Sequence, residues 1–184
     1  SVRTSFIDDD QALLNMASVL MTVSGSEHLG GDLGIDYPLR WFSIATALDL
    51  INEPSADVHP MSTNMDLHAN NVKKSTELEL EFGTSHTDFT YPNFDDLVDA
   101  PVQLGNFEKL RFDVDGIPHK VALVGVNNAN KEKLAKDMQL MCTTMKNIIK
   151  EHPCKRYTFI VQNVESGGGG LEHKNSTVLM MSRW

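Results

Sequence analysis

The sequence predicts an α+β protein in which a β-sandwich-like N-terminal domain, residues 1–92, precedes an α/β unit in residues 93–184. Two observations support this prediction. The first half holds short runs in which apolar and polar residues alternate between turn-forming segments, as in antiparallel sandwiches. The second half places one strongly helical pattern between segments that are typical of buried strands.

Strand-like alternation marks the predicted sandwich. Two sets of apolar residues alternate with polar neighbours, as on one face of a strand: Leu33, Ile35 and Tyr37, then Leu78, Leu80 and Phe82. Turn-forming segments separate such runs: Ser24-Gly25-Ser26, Gly30-Gly31-Asp32, Asn52-Glu53-Pro54-Ser55 and Gly83-Thr84-Ser85. This spacing is typical of antiparallel strands that pack as two layers.

The pattern changes at Tyr91-Pro92-Asn93, where we place the boundary between the two predicted domains. Asn93 suits the cap of a short helix that runs to Val98, because its side chain can accept a hydrogen bond from an unpaired amide. Pro101 then stops that helix, since proline disfavours helical backbone in the residue before it.

Four strands are expected in the second half. Residues 109–114 and 120–124 are predicted to form a hairpin around Asp115-Gly116, a dipeptide that favours tight turns between strands. Residues 157–161 and 176–181 are apolar runs typical of buried strands. With the helix between them, these strands predict an α/β unit.

Residues 128–151 carry the strongest helical pattern in the chain, with Asn127, Asn128 or Asn130 as its cap and Pro153 as its end. Apolar residues recur in it at three- and four-residue intervals: Leu134, Met138, Met141, Met145, Ile148 and Ile149. We interpret this stripe, with its methionines, as core filling rather than as a binding face.

Charge and hydropathy exclude several functional classes. The 184 residues carry a formal net charge of −9 without a cluster of basic residues, so nucleic acid is not expected as a partner. No apolar run is long enough to insert into a membrane.

Cys142 and Cys154 are expected to be unpaired thiols. No signal peptide is visible, and a cytoplasmic or an exported, periplasmic location and the oligomeric state stay open.

A glycine-rich segment at residues 167–170, followed by Leu171-Glu172-His173, is the strongest candidate binding feature. Because glycines lack Cβ atoms, a second chain can approach their backbone closely. An extended peptide can pair there as an added strand while Glu172 binds a cation such as a free α-amino group. The open alternative is a flexible linker with Glu172 in solvent. A phosphate-binding loop is excluded, because Lys174 precedes Asn175 rather than serine or threonine.

Residues 169–179 resemble the glycine-glycine-leucine-glutamate-histidine signature of the glycyl aminopeptidases, a family of zinc metallopeptidases. Four other segments are similar to segments of that family in the same order: residues 2–6, 91–101, 105–107 and 112–119. The resemblance implies that residues 93–184 begin a thermolysin-like catalytic domain, which a PDZ domain follows in the family. It also implies that Glu172 binds the amino group of peptide substrates and that Gly169 and Gly170 align their backbone.

Zinc peptidases of this class hold the metal with a His-Glu-x-x-His helix, and the sequence contains no such motif. None of the seven histidines is followed by glutamate. We therefore expect no catalytic residue and no metal ligand within these residues, and we expect the chain to be a fragment that ends just before the zinc-site helices. Zinc is implied for the parent protein only.

The sequence thus predicts a piece of a zinc-dependent metallo-aminopeptidase that removes N-terminal residues, glycine or alanine by the resemblance, from peptides. This piece supplies the substrate-amine-binding loop and is expected to be inactive alone. The alternative is a non-enzymatic, β-rich ligand- or protein-binding module in which the glycines act as a hinge and Glu172 is incidental.

Overall fold

The structure is a computed structural model that describes residues 4–22, 24–38, 41, 43–51 and 84–183. The predicted strand that contains Leu78, Leu80 and Phe82 lies outside these residues, as does the predicted turn at Asn52-Glu53-Pro54-Ser55. No helix in the described ranges is long and apolar enough to cross a membrane.

Twelve strands and three helices are present in the described residues. In chain order they are β1 (Phe6–Ile7), β2 (Gln11–Leu14), α1 (Met16–Val19), β3 (Gly31–Pro38), β4 (Ser43–Thr46), β5 (Asp49–Leu50), β6 (Thr84–Tyr91), α2 (Phe94–Val98), β7 (Val102–Gly105), β8 (Glu108–Val114), β9 (Ile117–Val124), α3 (Lys131–Ile149), β10 (Tyr157–Val164), β11 (Gly169–Glu172) and β12 (Ser176–Ser182). The sheet-rich α+β class predicted from the sequence is confirmed.

The N-terminal strands form two antiparallel sheets. One has the order β1-β2-β7-β4, and the other has β6 between β3 and β5. Buried side chains from both sheets meet in one core: Ala12, Ile35, Tyr37, Phe89, Val102 and Leu104. The predicted alternation on β3 is present, since Ile35 and Tyr37 are buried while Asp36 between them is exposed.

Strand β7 lies beyond residue 92, where the sequence analysis placed a domain boundary. It nevertheless pairs with β2 on one side and with β4 on the other. The four-stranded sheet therefore continues to Gly105, past α2. The division into residues 1–92 and 93–184 stays a prediction.

The second half forms a five-stranded sheet with the order β11-β12-β10-β9-β8. The three inner strands are parallel to one another, and both outer strands are antiparallel to their neighbours. The predicted hairpin is confirmed: Asp115 and Gly116 have φ angles of 52° and 82°, which suit the tight turn between β8 and β9.

Helix α3 crosses from β9 to the parallel strand β10. Asn130 is its cap, because its side-chain oxygen accepts a hydrogen bond from the Lys133 amide at 2.9 Å. The helix ends at Ile149, and Lys150 follows it in a left-handed conformation. The Lys150 amide donates a hydrogen bond to Lys146 O, one of the last carbonyls of the helix. The predicted helix is confirmed, and of the three asparagines proposed as its cap Asn130 is the correct one.

The prediction that the whole methionine stripe of α3 fills the core is wrong. Met138 is buried against Val121, Leu123 and Val161 of the sheet. Met141, Met145 and Ile148, however, are 59%, 56% and 69% exposed. Periodicity determines which side chains share a helix face, but it does not determine how much of that face the neighbouring sheet covers.

A buried contact joins the four-stranded and five-stranded sheets. Gln103 of β7 accepts a hydrogen bond from the Gln162 side chain of β10, and its own amide donates to Leu104 O at 2.8 Å and Gln11 Oε1 at 3.1 Å. Apolar side chains from both halves surround this contact: Leu13, Ala122, Val124, Ile160 and Val178. The relative position of the two sheets is therefore set by a paired amide within an apolar interface.

We predict that Gln103→Ala lowers the free energy of unfolding by about 2–3 kcal/mol, because the Gln162 amide is left buried without its acceptor. Urea denaturation of this chain measures the change. Gln139 is a matched control, since its side chain donates to Asp113 O at an exposed position. An equal loss in Gln139→Ala would contradict the assignment of a special cost to the buried amide.

A second prediction concerns His86 on β6. Its ring nitrogens lie 2.7 Å from Asp36 Oδ1 and 2.8 Å from Asp88 Oδ1. The hydrogen bond with Asp36, followed by that with Asp88, raises the pKa of His86 above its ordinary value of 6.5. Because the pKa of His86 is higher in the folded state, protonation of His86 stabilises the fold. This stabilisation is fully present at pH values below the pKa of the unfolded state, and it is lost as the pH rises through the pKa of the folded state.

His86→Gln should therefore destabilise the fold more at about pH 5.5 than at a pH above the raised folded-state pKa, where the imidazole is neutral in both states. Because the cluster is exposed, we expect the difference to be small. Urea denaturation at the two pH values and an NMR titration of the His86 ring measure it. A destabilisation that is equal at both pH values would show that the charged form of His86 is not involved.

Candidate substrate-binding edge

The glycine-rich segment forms an edge strand. Strand β11 pairs antiparallel with β12, from Gly169 opposite Met180 to Glu172 opposite Thr177. Within the described part of the chain, no strand pairs with the other side of β11. Its outward amides and carbonyls are therefore available to an extended peptide.

Two glycines suit this edge for different reasons. Gly169 has a φ of +148°, a conformation that side chains with a Cβ rarely adopt, although there is open space around it. At Gly170 a Cβ would lie 3.1 Å from the Leu179 side chain. The alternative of a flexible linker does not fit Gly169 and Gly170, because both belong to a paired strand.

Glu172 is the last residue of β11 and is exposed. Its neighbour Leu171 packs into the apolar cluster between the sheets, so strand alternation directs Glu172 to the opposite face. Among the described residues, the carboxylate of Glu172 takes part in no hydrogen bond or ion pair. It is therefore free to pair with a cation from outside this part of the chain.

The turn after Glu172 is held by two carboxylates of the α2 region, which sequence reasoning did not connect with the glycine segment. Asp99 accepts hydrogen bonds from His173 Nδ1 at 3.0 Å and from the Lys174 amide at 2.7 Å. Asp96 accepts from Lys174 Nζ at 2.6 Å. Asp96 is thus an ion-pair partner of Lys174.

Two histidines near the predicted motifs are held within the fold. His173 donates from Nδ1 to Asp99, and its buried Nε2 has no hydrogen-bond partner among the described residues. His119 is buried, stacks on Phe112 at 4.8 Å between ring centroids and donates from Nδ1 to Ile117 O at 2.9 Å. Burial lowers the pKa of His119, which favours its neutral form.

The described residues do not provide a zinc site. No group of three or more histidine, cysteine, aspartate or glutamate side chains among them is arranged to hold a metal ion. Cys142 and Cys154 are both free thiols, as expected from the sequence. Burial raises the pKa of each thiol, which favours the protonated form. The zinc implied by the sequence resemblance therefore does not fit the described part of the chain.

Comparison with known protein families shows which family the chain belongs to. The Peptidase M61 N-terminal domain matches residues 1–106, which is more than half of the sequence. The chain belongs to the M61 peptidase family. Its match ends directly after β7, at the point where the four-stranded sheet is complete.

This M61 chain is also similar to solved structures of other proteins. An aminopeptidase N family protein from Idiomarina loihiensis aligns over 100% of the chain, with a TM-score of 0.76 and 28% identity. An M1 zinc metallopeptidase from Deinococcus radiodurans aligns over 81%, with a TM-score of 0.51 and 12% identity, and shows likeness of fold alone. A two-domain M1 zinc metallopeptidase variant bound to L-arginine aligns with a TM-score of 0.50 and 10% identity.

The M61 chain spans 27% of the length of the Idiomarina protein and 29% of the length of the Deinococcus protein. No curated protein matched the sequence significantly. The comparisons therefore establish the family and the fold of the chain.

The backbone of β11 leads to a third prediction. Gly169→Ala should destabilise the chain by about 1 kcal/mol, because alanine is strained at a positive φ. Gly168→Ala is the matched control, since Gly168 has an ordinary φ and a Cβ there would lie 3.7 Å from Met180 O. Urea denaturation compares the two variants. Equal stability would show that the conformation of Gly169 does not require glycine.

Proposed function

We propose that the longer protein that contains this chain is a zinc-dependent metallo-aminopeptidase, and that this chain supplies the edge that binds the substrate's N-terminus. Membership of the M61 family and 28% identity to an aminopeptidase N family protein support a peptidase. The observation that carries the proposal is the open edge of β11 with the unpaired carboxylate of Glu172 at its end.

The substrate peptide pairs with β11 as an added strand. Backbone hydrogen bonds to the open edge bind any sequence, because they involve only main-chain amides and carbonyls. Gly169 and Gly170 bring no Cβ to this edge, so the substrate backbone approaches closely. The two glycines therefore align the substrate without selecting its side chains.

Glu172 selects the chain end. Its carboxylate pairs with the free α-ammonium group of the substrate through charge-assisted hydrogen bonds. This contact fixes the distance from the N-terminus to the bond that is cleaved, so one register is favoured. A peptide that continued past Glu172 would place an uncharged amide there, and the charge pairing would be lost.

We also propose that the longer protein is a glycyl aminopeptidase with a preference for glycine or alanine at the substrate N-terminus. In this proposal a thermolysin-like domain begins in residues 93–184, and a PDZ domain follows it. Zinc would activate the attacking water when it is bound, and its ligands would come from parts of the longer protein outside these 184 residues. This chain's own contribution is to bind and align the peptide.

Our fourth prediction is that Glu172→Ala in the longer protein lowers kcat/KM for peptides with a free N-terminus by about 100-fold, or about 3 kcal/mol. Zinc content should not change. Assays with glycyl and alanyl chromogenic substrates, alongside N-acetylated peptides, measure the effect. The unsubstituted longer protein should discriminate strongly against the acetylated peptides, and the Glu172→Ala variant should lose most of that discrimination.

Glu151→Ala is the matched control, because Glu151 is exposed and lies just beyond α3. It should retain the parent activity. Equal activity in Glu172→Ala would remove Glu172 from substrate binding. A folded longer protein without zinc or peptidase activity would instead favour the non-enzymatic binding module.

A further inference from the structure

Helix α2 and its C-cap residue, Asp99, present two carboxylates to the turn that follows Glu172. Asn93 caps the helix, since its side-chain oxygen accepts from the Asp96 amide at 2.8 Å. Asp96 and Asp99 lie three residues apart, a spacing that places side chains on the same side of a helix. On its other side, α2 is anchored in the N-terminal core by Leu97.

The contacts of Asp99 use both of its carboxylate oxygens. Oδ1 accepts from His173 Nδ1 at 3.0 Å, and Oδ2 accepts from the Lys174 amide at 2.7 Å. These donors belong to the two residues directly after Glu172. Asp99 is 74 positions away from His173 in the sequence, so the contact joins distant parts of the chain.

Burial distinguishes this contact from the neighbouring ion pair. The side chain of His173 is 8% exposed, whereas that of Lys174 is 66% exposed. A hydrogen bond to a carboxylate is stronger where water is excluded, and an exposed lysine ion pair contributes little. Asp99 thus binds a buried imidazole and a backbone amide of the turn, whereas Asp96 binds one exposed ammonium group.

The turn itself is short and closed. The amide of His173 donates to Ser176 O at 2.9 Å, and the amide of Thr158 in β10 donates to Asn175 O at 3.1 Å. Among the described strands, β11 has β12 as its single neighbour, so the backbone direction at Glu172 depends on β12 and on this turn. A change in the turn is therefore transmitted directly to the Glu172 carboxylate.

We propose that Asp99 is a positioning residue, which fixes the orientation of Glu172 at the open edge of β11 through His173 and the Lys174 amide. Because α2 is anchored in the core of the N-terminal sheets, those sheets take part in substrate binding through this contact. The inference rests on the proposed function, in which Glu172 binds the substrate's ammonium group.

The first test uses this chain alone and does not depend on activity. In Asp99→Ala, amide hydrogen exchange in residues 169–175 should accelerate roughly tenfold or more, because the turn loses two hydrogen bonds to a charged group. Exchange in β9 and β10 should stay at the parent rate. Asp95→Ala, which removes the same charge from an exposed part of the same helix, is the matched control and should match the parent protein.

The Asp99→Asn variant is a control for a general loss of folding in Asp99→Ala. Asparagine has the same shape but only one acceptor oxygen, so it can satisfy one of the two donors. Exchange in residues 169–175 should lie between the rates of the parent and of Asp99→Ala. Parent-like exchange in both Asp99 variants would overturn the proposal, as would a uniform acceleration over all strands in both of them.

The second test measures peptidase activity of the longer protein as a double-mutant cycle with Glu172→Ala. Asp99→Ala should raise KM for peptides with a free N-terminus by roughly tenfold, with unchanged zinc content. In the Glu172→Ala background the same substitution should have almost no further effect. Additive losses would show that Asp99 does not act through Glu172 and would overturn the proposal.

The two tests distinguish failure of the proposed function from failure of the positioning role of Asp99. If the longer protein has no aminopeptidase activity while exchange in residues 169–175 still depends on Asp99, the proposed function fails and the link between Asp99 and the turn stands. If activity depends on Glu172 but neither exchange nor the cycle responds to Asp99, the positioning role fails and the proposed function stands.

Discussion

Gln103 is a polar side chain held away from water where the four-stranded sheet meets the five-stranded sheet. A buried amide costs free energy unless its groups are paired, and Gln103 is paired with Gln162, Gln11 and its own strand. Sliding one sheet against the other would break these hydrogen bonds and open the apolar cluster around them. The position of β7, and with it that of α2 and Asp99, depends on this constraint.

The open edge of β11 follows from this arrangement. The parallel strands β9, β10 and β12 take up the interior of the sheet, and β11 folds back antiparallel at its margin. Leu171 faces the apolar cluster while Glu172 faces away from it. The candidate site thus combines an inner face held by β12 and the apolar cluster with an outer edge that no described strand covers.

Local signals in the sequence were enough for several elements. Asp115-Gly116 predicted the hairpin and Asn93 predicted the start of α2, while Asn127, Asn128 and Asn130 together predicted the start of α3 without distinguishing its cap. Each of these signals acts on amides a few residues away. The contact between Asp99 and His173 gave no such signal, since its partners are far apart in the chain and only the folded sheets bring them together. Likewise, the exposure of Met141 and Met145 depends on how far the sheet extends beneath α3, which helical periodicity does not encode.

An edge that accepts a substrate strand is also open to strand pairing with another copy of the same protein. In such a pair each molecule brings a net charge of −9, and each β11 ends in a carboxylate that has no partner among the described residues. Repulsion between like charges then opposes edge-to-edge association, while a peptide with an ammonium group is attracted. Under the proposed function, the charge of Glu172 has two effects: it favours substrate peptides, and it opposes pairing of two copies through the open edge.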